Sequence, residues 1–353
     1  MRILLVELSS SLPPDARLAA SAALLAGEGI GADDTVVRAT AFTLGQLRAD
    51  RVRPWRPRTA ASPGCLTLLP MVRAGAGPVA AALLAAQLAV LAVRHRDRVA
   101  CDVGYALNPQ TAAALLPLTR LRGLPLVTRL QTDLPRGHLL APARWLLRRV
   151  MRAATGVIAI SEFTRSVAVA SGVDPTAVRV LPPAIDPVFG AGQPPRRRGD
   201  RPFTVGYLGR MHPEKGPMDA VRAFANAAGP DWRLVLAGRG PQQDAVLDAA
   251  RALGDRLRWL GMVDRCRLPA VLAHIDVVLV PTLVDEGLGR VAVEALLCGA
   301  VVVGYESGGL REAAGPGCAL VTRGDVAALG AELARIAADP TLTDTMARSG
   351  QRH

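Results

Sequence analysis

The sequence predicts an α/β protein made of two doubly wound domains of similar size, each built on a parallel sheet. Three observations carry that reading: short apolar runs without polar alternation, longer helical stretches between them, and one break rich in Pro, Gly and Arg near the middle of the 353 residues. A strand that is apolar on both faces is buried on both faces, and strand–helix–strand repetition then requires parallel pairing. A chain of 353 residues is also long for one core and comfortable for two.

The elements follow in order. Strands are expected at 3–8, 66–69, 103–107, 126–130, 157–160 and 178–181, with helices near 16–26, 79–94, 110–121, 140–153 and 162–170. The opening Met1-Arg2-Ile3-Leu4-Leu5-Val6-Glu7 reads as a buried strand, because its apolar run is too short for a signal peptide and no cleavage pattern follows. The stretch 79–93 is apolar apart from Gln87, but at about 15 residues it falls short of the roughly 20 that span a bilayer. It reads as a buried, alanine-rich helix. Contact with a membrane surface through it and nearby arginines stays open. Ser161-Glu162 suits the start of a helix, with the serine as cap.

Residues 191–202, with Pro194-Pro195-Arg196-Arg197-Arg198-Gly199, cannot form a core element and read as a linker. The expected organisation is therefore a domain over 1–190, the linker 191–202 and a domain over 203–353. The second series has strands at 203–208, 234–237, 257–260, 277–280, 301–304 and 319–321. Its helices fall near 216–228, 241–253, 267–274, 288–298, 309–314, 324–338 and 341–349. Ligands of such sheets bind beyond the carboxyl ends of the strands, so the expected site is a cleft between two facing domains.

Composition narrows the function. Aromatics make up only 3% of the chain, so Ala, Leu and Val must build the cores. The formal charge of +12 suits an acidic ligand, yet the arginines are dispersed apart from Arg196-Arg197-Arg198 and the group Arg148, Arg149 and Arg152. No basic patch is interleaved with aromatics, so a nucleic-acid partner is not expected. Cys65, Cys101, Cys266, Cys298 and Cys318 are far apart and form no CxxC pair. That spacing suggests neither a disulfide framework nor a zinc site, and points to reduced thiols in the cytoplasm.

Lys215 is the only lysine among 42 basic residues. It lies in Gly209-Arg210-Met211-His212-Pro213-Glu214-Lys215-Gly216, on a strand-to-helix turn. An ammonium is a compact point charge on a flexible stem, and beside the fork of Arg210 it suits a diphosphate. A second constellation is Pro281-Thr282-Leu283-Val284-Asp285-Glu286-Gly287-Leu288-Gly289, followed by a helix that carries Glu294. Amides at a helix start favour an anion, and glycine lets a ligand approach the backbone. An ionised carboxylate offers only acceptors, so Glu286 and Glu294 suit the hydroxyls at two ends of a polyol. Taken singly, Glu286 would serve as a helix-start charge and Glu294 as part of a solvated face.

The ordered set Gly209-Arg210, Glu214-Lys215-Gly216, Glu286-Gly-x-Gly, Glu294 and Cys298-Gly299 resembles the retaining GT-B glycosyltransferases of family 4. The resemblance implies two Rossmann-like domains facing a central cleft. The first would bind the acceptor and the second a nucleotide sugar, UDP- or GDP-linked. Arg210 and Lys215 would neutralise the diphosphate, with Gly209 in the same turn. Glu286 would accept hydrogen bonds from the sugar, helped by the amides near Gly287, Leu288 and Gly289. Glu294 would bind the ribose, and Gly238, Met262 and Val263 would surround the base. It implies no cofactor and no metal, and no Asp-x-Asp metal motif stands out.

The first half departs from the family pattern. A glycine pair is usual after the first strand, whereas Ser9-Ser10-Ser11 stands here, and Ser10 and Ser11 become candidates for acceptor contact. Gln131 occupies the place of a frequent histidine. Glutamine donates a hydrogen bond to a sugar but takes no proton at neutral pH. Asp133, with His138 nearby, is a further acceptor-side candidate. His212 suits either a phosphate contact or solvent. A final helix commonly crosses back to the first domain in this fold, and here either that helix is expected to be short or the chain to be a truncated form. The acceptor reads as a small metabolite or natural product, such as an aminocyclitol, with Asp15, Asp102 and Asp133 available to a cation. A lipid-linked or cell-envelope glycan, or a non-catalytic nucleotide-binding role beside a partner, stays open.

Overall fold

The computed structural model describes residues 2–8, 35–41, 65–68, 101–131, 141–189 and 201–353. The chain divides into two compact units, Met1–Ala184 and Ile185–His353. The expected helices near 16–26 and 79–94, the serine loop at 9–11 and the linker stretch 191–200 lie outside the described residues.

The first unit holds seven parallel strands: β1 (Arg2–Leu8), β2 (Thr35–Ala41), β3 (Cys65–Leu68), β4 (Val103–Ala106), β5 (Leu126–Leu130), β6 (Gly156–Ala159) and β7 (Val178–Val180). Their order is β3-β2-β1-β4-β5-β6-β7, so the winding reverses between β1 and β4. Strand β2 was not expected from the sequence. Thr35, Arg38 and Thr40 interrupt the apolar run that marks the other strands, yet β2 pairs with β1 along its whole length. The described helices are α1 (Pro109–Leu121), α2 (Ala141–Ala153) and α3 (Glu162–Ala170). Asn108 caps α1 by accepting from the Thr111 amide at 2.9 Å, and Ser161 caps α3 by accepting from the Thr164 amide at 3.1 Å. Leu115, Leu118, Leu126 and Val150 pack one α1–α2 core.

The second unit has six parallel strands: β8 (Thr204–Leu208), β9 (Arg233–Ala237), β10 (Leu257–Trp259), β11 (Val277–Val280), β12 (Val301–Tyr305) and β13 (Cys318–Val321). Their order is β10-β9-β8-β11-β12-β13, with the reversal between β8 and β11. The helices are α4 (Pro217–Ala227), α5 (Gln243–Ala250), α6 (Leu268–Leu272), α7 (Arg290–Leu297), α8 (Leu310–Ala314), α9 (Val326–Ala338) and α10 (Pro340–Arg352).

Strand β11 shows why it carries no polar alternation. Val277 and Leu279 enter one core with Phe203, Phe224 and Leu333, while Val278 and Val280 enter the opposite core with Ala292, Leu296 and Val302. Phe189 is buried in that second core, so the segment from Ile185 packs with the C-terminal unit. Helix α10 places Met346 and Ala347 in the core of the second unit. At the amino ends of the strands, Asp276 accepts from Arg201 Nη1 at 2.9 Å and from the Thr204 amide at 2.8 Å, which ties β8 to β11.

Candidate active site

The carboxyl ends of β8, β9, β11 and β12 converge on one set of loops. After β8, residues Pro213–Lys215 make a tight turn. The turn is capped by His212, whose Nδ1 lies 3.4 Å from the Glu214 amide that donates to it. His212 therefore has a structural task in the turn. Gly216 ends the turn at φ +63°, and a Cβ there would stand 2.0 Å from the Pro281 carbonyl oxygen. Only glycine lets the two loops touch at this point. The Glu214 carbonyl accepts from the Leu283 amide at 2.8 Å, which joins the lysine turn to the loop after β11.

That join brings the two motifs together. Lys215 Nζ donates to Glu286 Oε1, although 71 residues separate them in sequence. Glu286 is steadied from behind, because its carbonyl accepts from the Gly309 amide at 2.8 Å. A Cβ on Gly308 would stand 2.1 Å from the same oxygen. Arg323 pairs with Asp285 and holds the other side of the loop. Arg210 is exposed beside the turn.

Tyr207, buried at the end of β8, was missed in the sequence. Its hydroxyl donates to the Arg210 carbonyl at 2.8 Å and lies 3.4 Å from the Lys215 carbonyl. Burial pushes the phenol far above its ordinary range, so it remains a neutral donor.

Glu294 is 5% exposed, so it is no part of a solvated helix face. Its Oε1 lies 3.1 Å from Arg265 Nη1 and 3.7 Å from Arg290 Nη2. Arg265 is a second residue that sequence reading missed. One more arginine in an arginine-rich chain carries no signal, and its partner is 29 positions away.

The remaining candidates separate. Gly209, Gly287, Leu288 and Gly289 line the loops just described, with Leu288 buried and Gly289 at φ +81° opening α7. The Gly238 amide donates to the Gly261 carbonyl at 2.7 Å, which sets Met262 and Val263 beside the end of β9. Met262 is 67% exposed, whereas Val263 packs on the core. In the first unit Gln131 is exposed, its Nε2 3.4 Å from the Leu107 carbonyl. Ser10, Ser11, Asp133 and His138 lie outside the described residues. Arg129, two positions before Gln131, is 1% exposed. Burial pushes its guanidinium down to about 10, which leaves it charged at neutral pH.

Among the described residues, Cys101, Cys266, Cys298 and Cys318 form no disulfide, and no group of three His, Cys, Asp or Glu side chains is placed to hold a metal. No described helix is long and apolar enough to cross a membrane.

Two family models match the chain. Glycosyltransferase Family 4 covers residues 53–189, and Glycosyl transferases group 1 covers residues 193–353. Each half of the chain thus matches a glycosyltransferase family model. A 2-deoxystreptamine glucosyltransferase from Streptomyces kanamyceticus is 35% identical over 60% of this chain and 57% of its own length. A 2-deoxystreptamine N-acetyl-D-glucosaminyltransferase from Streptomyces fradiae is 35% identical over 54% of this chain and 48% of its own. The chain thus matches about half the length of these curated relatives. Among solved structures, HepE from Anabaena in complex with UDP is 21% identical with a TM-score of 0.73, covering 100% of this chain and 94% of its own. Sucrose-phosphate synthase from Thermosynechococcus elongatus is 19% identical with a TM-score of 0.75, covering 99% and 93%. The two parallel-sheet α/β domains match the GT-B glycosyltransferase fold of these neighbours.

Proposed function

We propose that the protein transfers a sugar from a UDP- or GDP-linked donor to a hydroxyl of a small, aminocyclitol-type acceptor, with retention at the anomeric carbon and without a metal. The observation that carries this reading is the Lys215–Glu286 pair. It sets the only ammonium of the chain beside the carboxylate of the Glu-Gly-Leu-Gly loop, as a diphosphate and its sugar require.

In this reading a bound diphosphate draws Lys215 away from Glu286, and Arg210 joins it on the phosphate oxygens. Glu286 is then released to accept from the donor sugar. Glu294 takes the ribose, and Gly238, Met262 and Val263 surround the base. The bond from the anomeric carbon to the diphosphate breaks, and its electron pair goes to the leaving oxygen. The acceptor hydroxyl adds on the same face, and its proton passes to the departing phosphate. Fixed cations at the growing charge stabilise the transition state more than the ground state, and this removes the need for a metal. The acceptor class is supported by the two relatives whose names specify 2-deoxystreptamine. The scattered cysteines, with no CxxC pair, support a reducing, cytoplasmic setting.

The test is turnover of UDP-glucose, UDP-N-acetylglucosamine and GDP-mannose with 2-deoxystreptamine, in the presence and absence of EDTA. The product's anomeric configuration is read by NMR. An α-linked product from an α-linked donor, insensitive to EDTA, is expected. A folded sample that turns over only lipid-linked acceptors overturns the acceptor class. An inverted product overturns retention. Loss of activity in EDTA overturns metal independence.

A further inference from the structure

We infer that Arg265 is a specificity residue for the donor's ribose: with Glu294 it makes the C-terminal unit prefer ribonucleoside over 2′-deoxyribonucleoside diphosphates. The inference rests on the proposed assignment of Glu294 to the ribose.

A buried carboxylate is tolerated only where it is paired. Both ion pairs of Glu294 fall on Oε1, and the shorter, at 3.1 Å, comes from Arg265. Among the described residues Oε2 carries neither a hydrogen bond nor an ion pair, so it is left to accept from a ligand.

Arg265 is itself fixed. Its Nε lies 3.2 Å from Asp186 Oδ2, and its guanidinium carbon stands 5.0 Å from the centroid of the Phe189 ring. Asp186 is anchored in turn by the Val188 amide at 3.1 Å. That amide first, and the Arg265 charge in smaller part, hold the Asp186 carboxyl below its ordinary range. The guanidinium is thus a planar fork clamped by a carboxylate and an aromatic ring. Its described contacts use Nε and Nη1, which leaves Nη2 to donate.

The pair therefore offers one carboxylate acceptor and one guanidinium donor side by side. A vicinal diol matches that arrangement: one hydroxyl donates to Oε2 while a hydroxyl oxygen accepts from Arg265. A 2′-deoxyribose has no such diol, and it leaves one member of the pair unmatched. A charged hydrogen-bonding group left without its partner lowers affinity by about tenfold or more. Arg290 is less suited to this part, because its contact with Glu294 is longer, at 3.7 Å against 3.1 Å.

The experiment measures dissociation constants by calorimetry for UDP, 2′-deoxy-UDP, GDP and 2′-deoxy-GDP, with the wild type, Arg265→Ala and Arg265→Lys. The wild type is expected to favour the ribose form of its nucleotide by about tenfold. Arg265→Ala is expected to weaken the ribose form by about tenfold and the deoxy form by less than about twofold, so the preference collapses. Arg265→Lys, which keeps the charge and loses the fork, should recover the preference only in part. It also serves as the test should the alanine variant melt early. A preference unchanged in both folded variants overturns the inference alone. Failure of the wild type to bind either UDP or GDP removes the proposed donor site and the inference together.

Discussion

Lys215 and Glu286 neutralise each other in the structure, and each is proposed to find a better partner in the donor. Lys215→Ala is therefore expected to lose about 2–4 kcal/mol of transition-state stabilisation, the scale of one lost donor at a developing charge. It is read as kcat/KM of a folded sample. Wild-type turnover by the variant would remove Lys215 from the chemistry. Tyr207 acts on the same turn without touching ligand in this reading, through the hydrogen bond from its hydroxyl to the Arg210 carbonyl. Tyr207→Phe removes that one hydrogen bond, so kcat/KM should fall by the equivalent of about 0.5–1.5 kcal/mol. A larger fall accompanied by a lower melting temperature would mean that the hydroxyl holds the fold rather than the turn.

At the scale of elements, the loops after β8, β11 and β12 are fastened by backbone contact, and Gly308 is the sharpest case. Its φ of +50° and the 2.1 Å approach to the Glu286 carbonyl admit no side chain. Gly308→Ala should destabilise the unit by at least about 1–2 kcal/mol from backbone handedness alone. It should also weaken donor binding further, because Glu286 must shift. Urea unfolding and nucleotide calorimetry on one sample separate the two effects.

How far these elements could be read from the sequence follows from what each one buries. Strand β11 was legible because Val277, Val278, Leu279 and Val280 fill two cores, and such a run reads only one way. Strand β2 was not, because Thr35, Arg38 and Thr40 break its apolar run and its pairing with β1 is a long-range feature of the fold. The loops after β8 and β11 were legible because the chain's single lysine stands in one and two closely spaced glycines follow Glu286 in the other. The contacts that position them were hidden. Tyr207 read as strand, Arg265 as background charge, and Ser161 alone announced its cap by its letter and place.

For the whole molecule, two sheets each reverse their winding once, β1 to β4 and β8 to β11. The second sheet keeps a buried ion pair at the end opposite its loops. Asp276 is nearly inaccessible and is held by Arg201 and the Thr204 amide. Replacing it by Ala strands a guanidinium and an amide, so a loss of about 3 kcal/mol is expected, toward the lower end for broken buried pairs because Arg201 is partly solvated. Chemical denaturation measures it. Nucleotide affinity of the folded fraction should not change, since the pair sits at the other end of the strands.

That separation has a practical meaning for anyone redesigning the protein. The fastening of β8 to β11 and the proposed binding of the donor draw on different ends of the same strands. Exposed positions around the loops, such as Leu283 and Met262, can be randomised as a library while Asp276, Arg201 and the glycines at 216 and 308 are left alone. On the proposed reading, variants from such a library should differ in which nucleotide sugar they bind well before they differ in whether they fold.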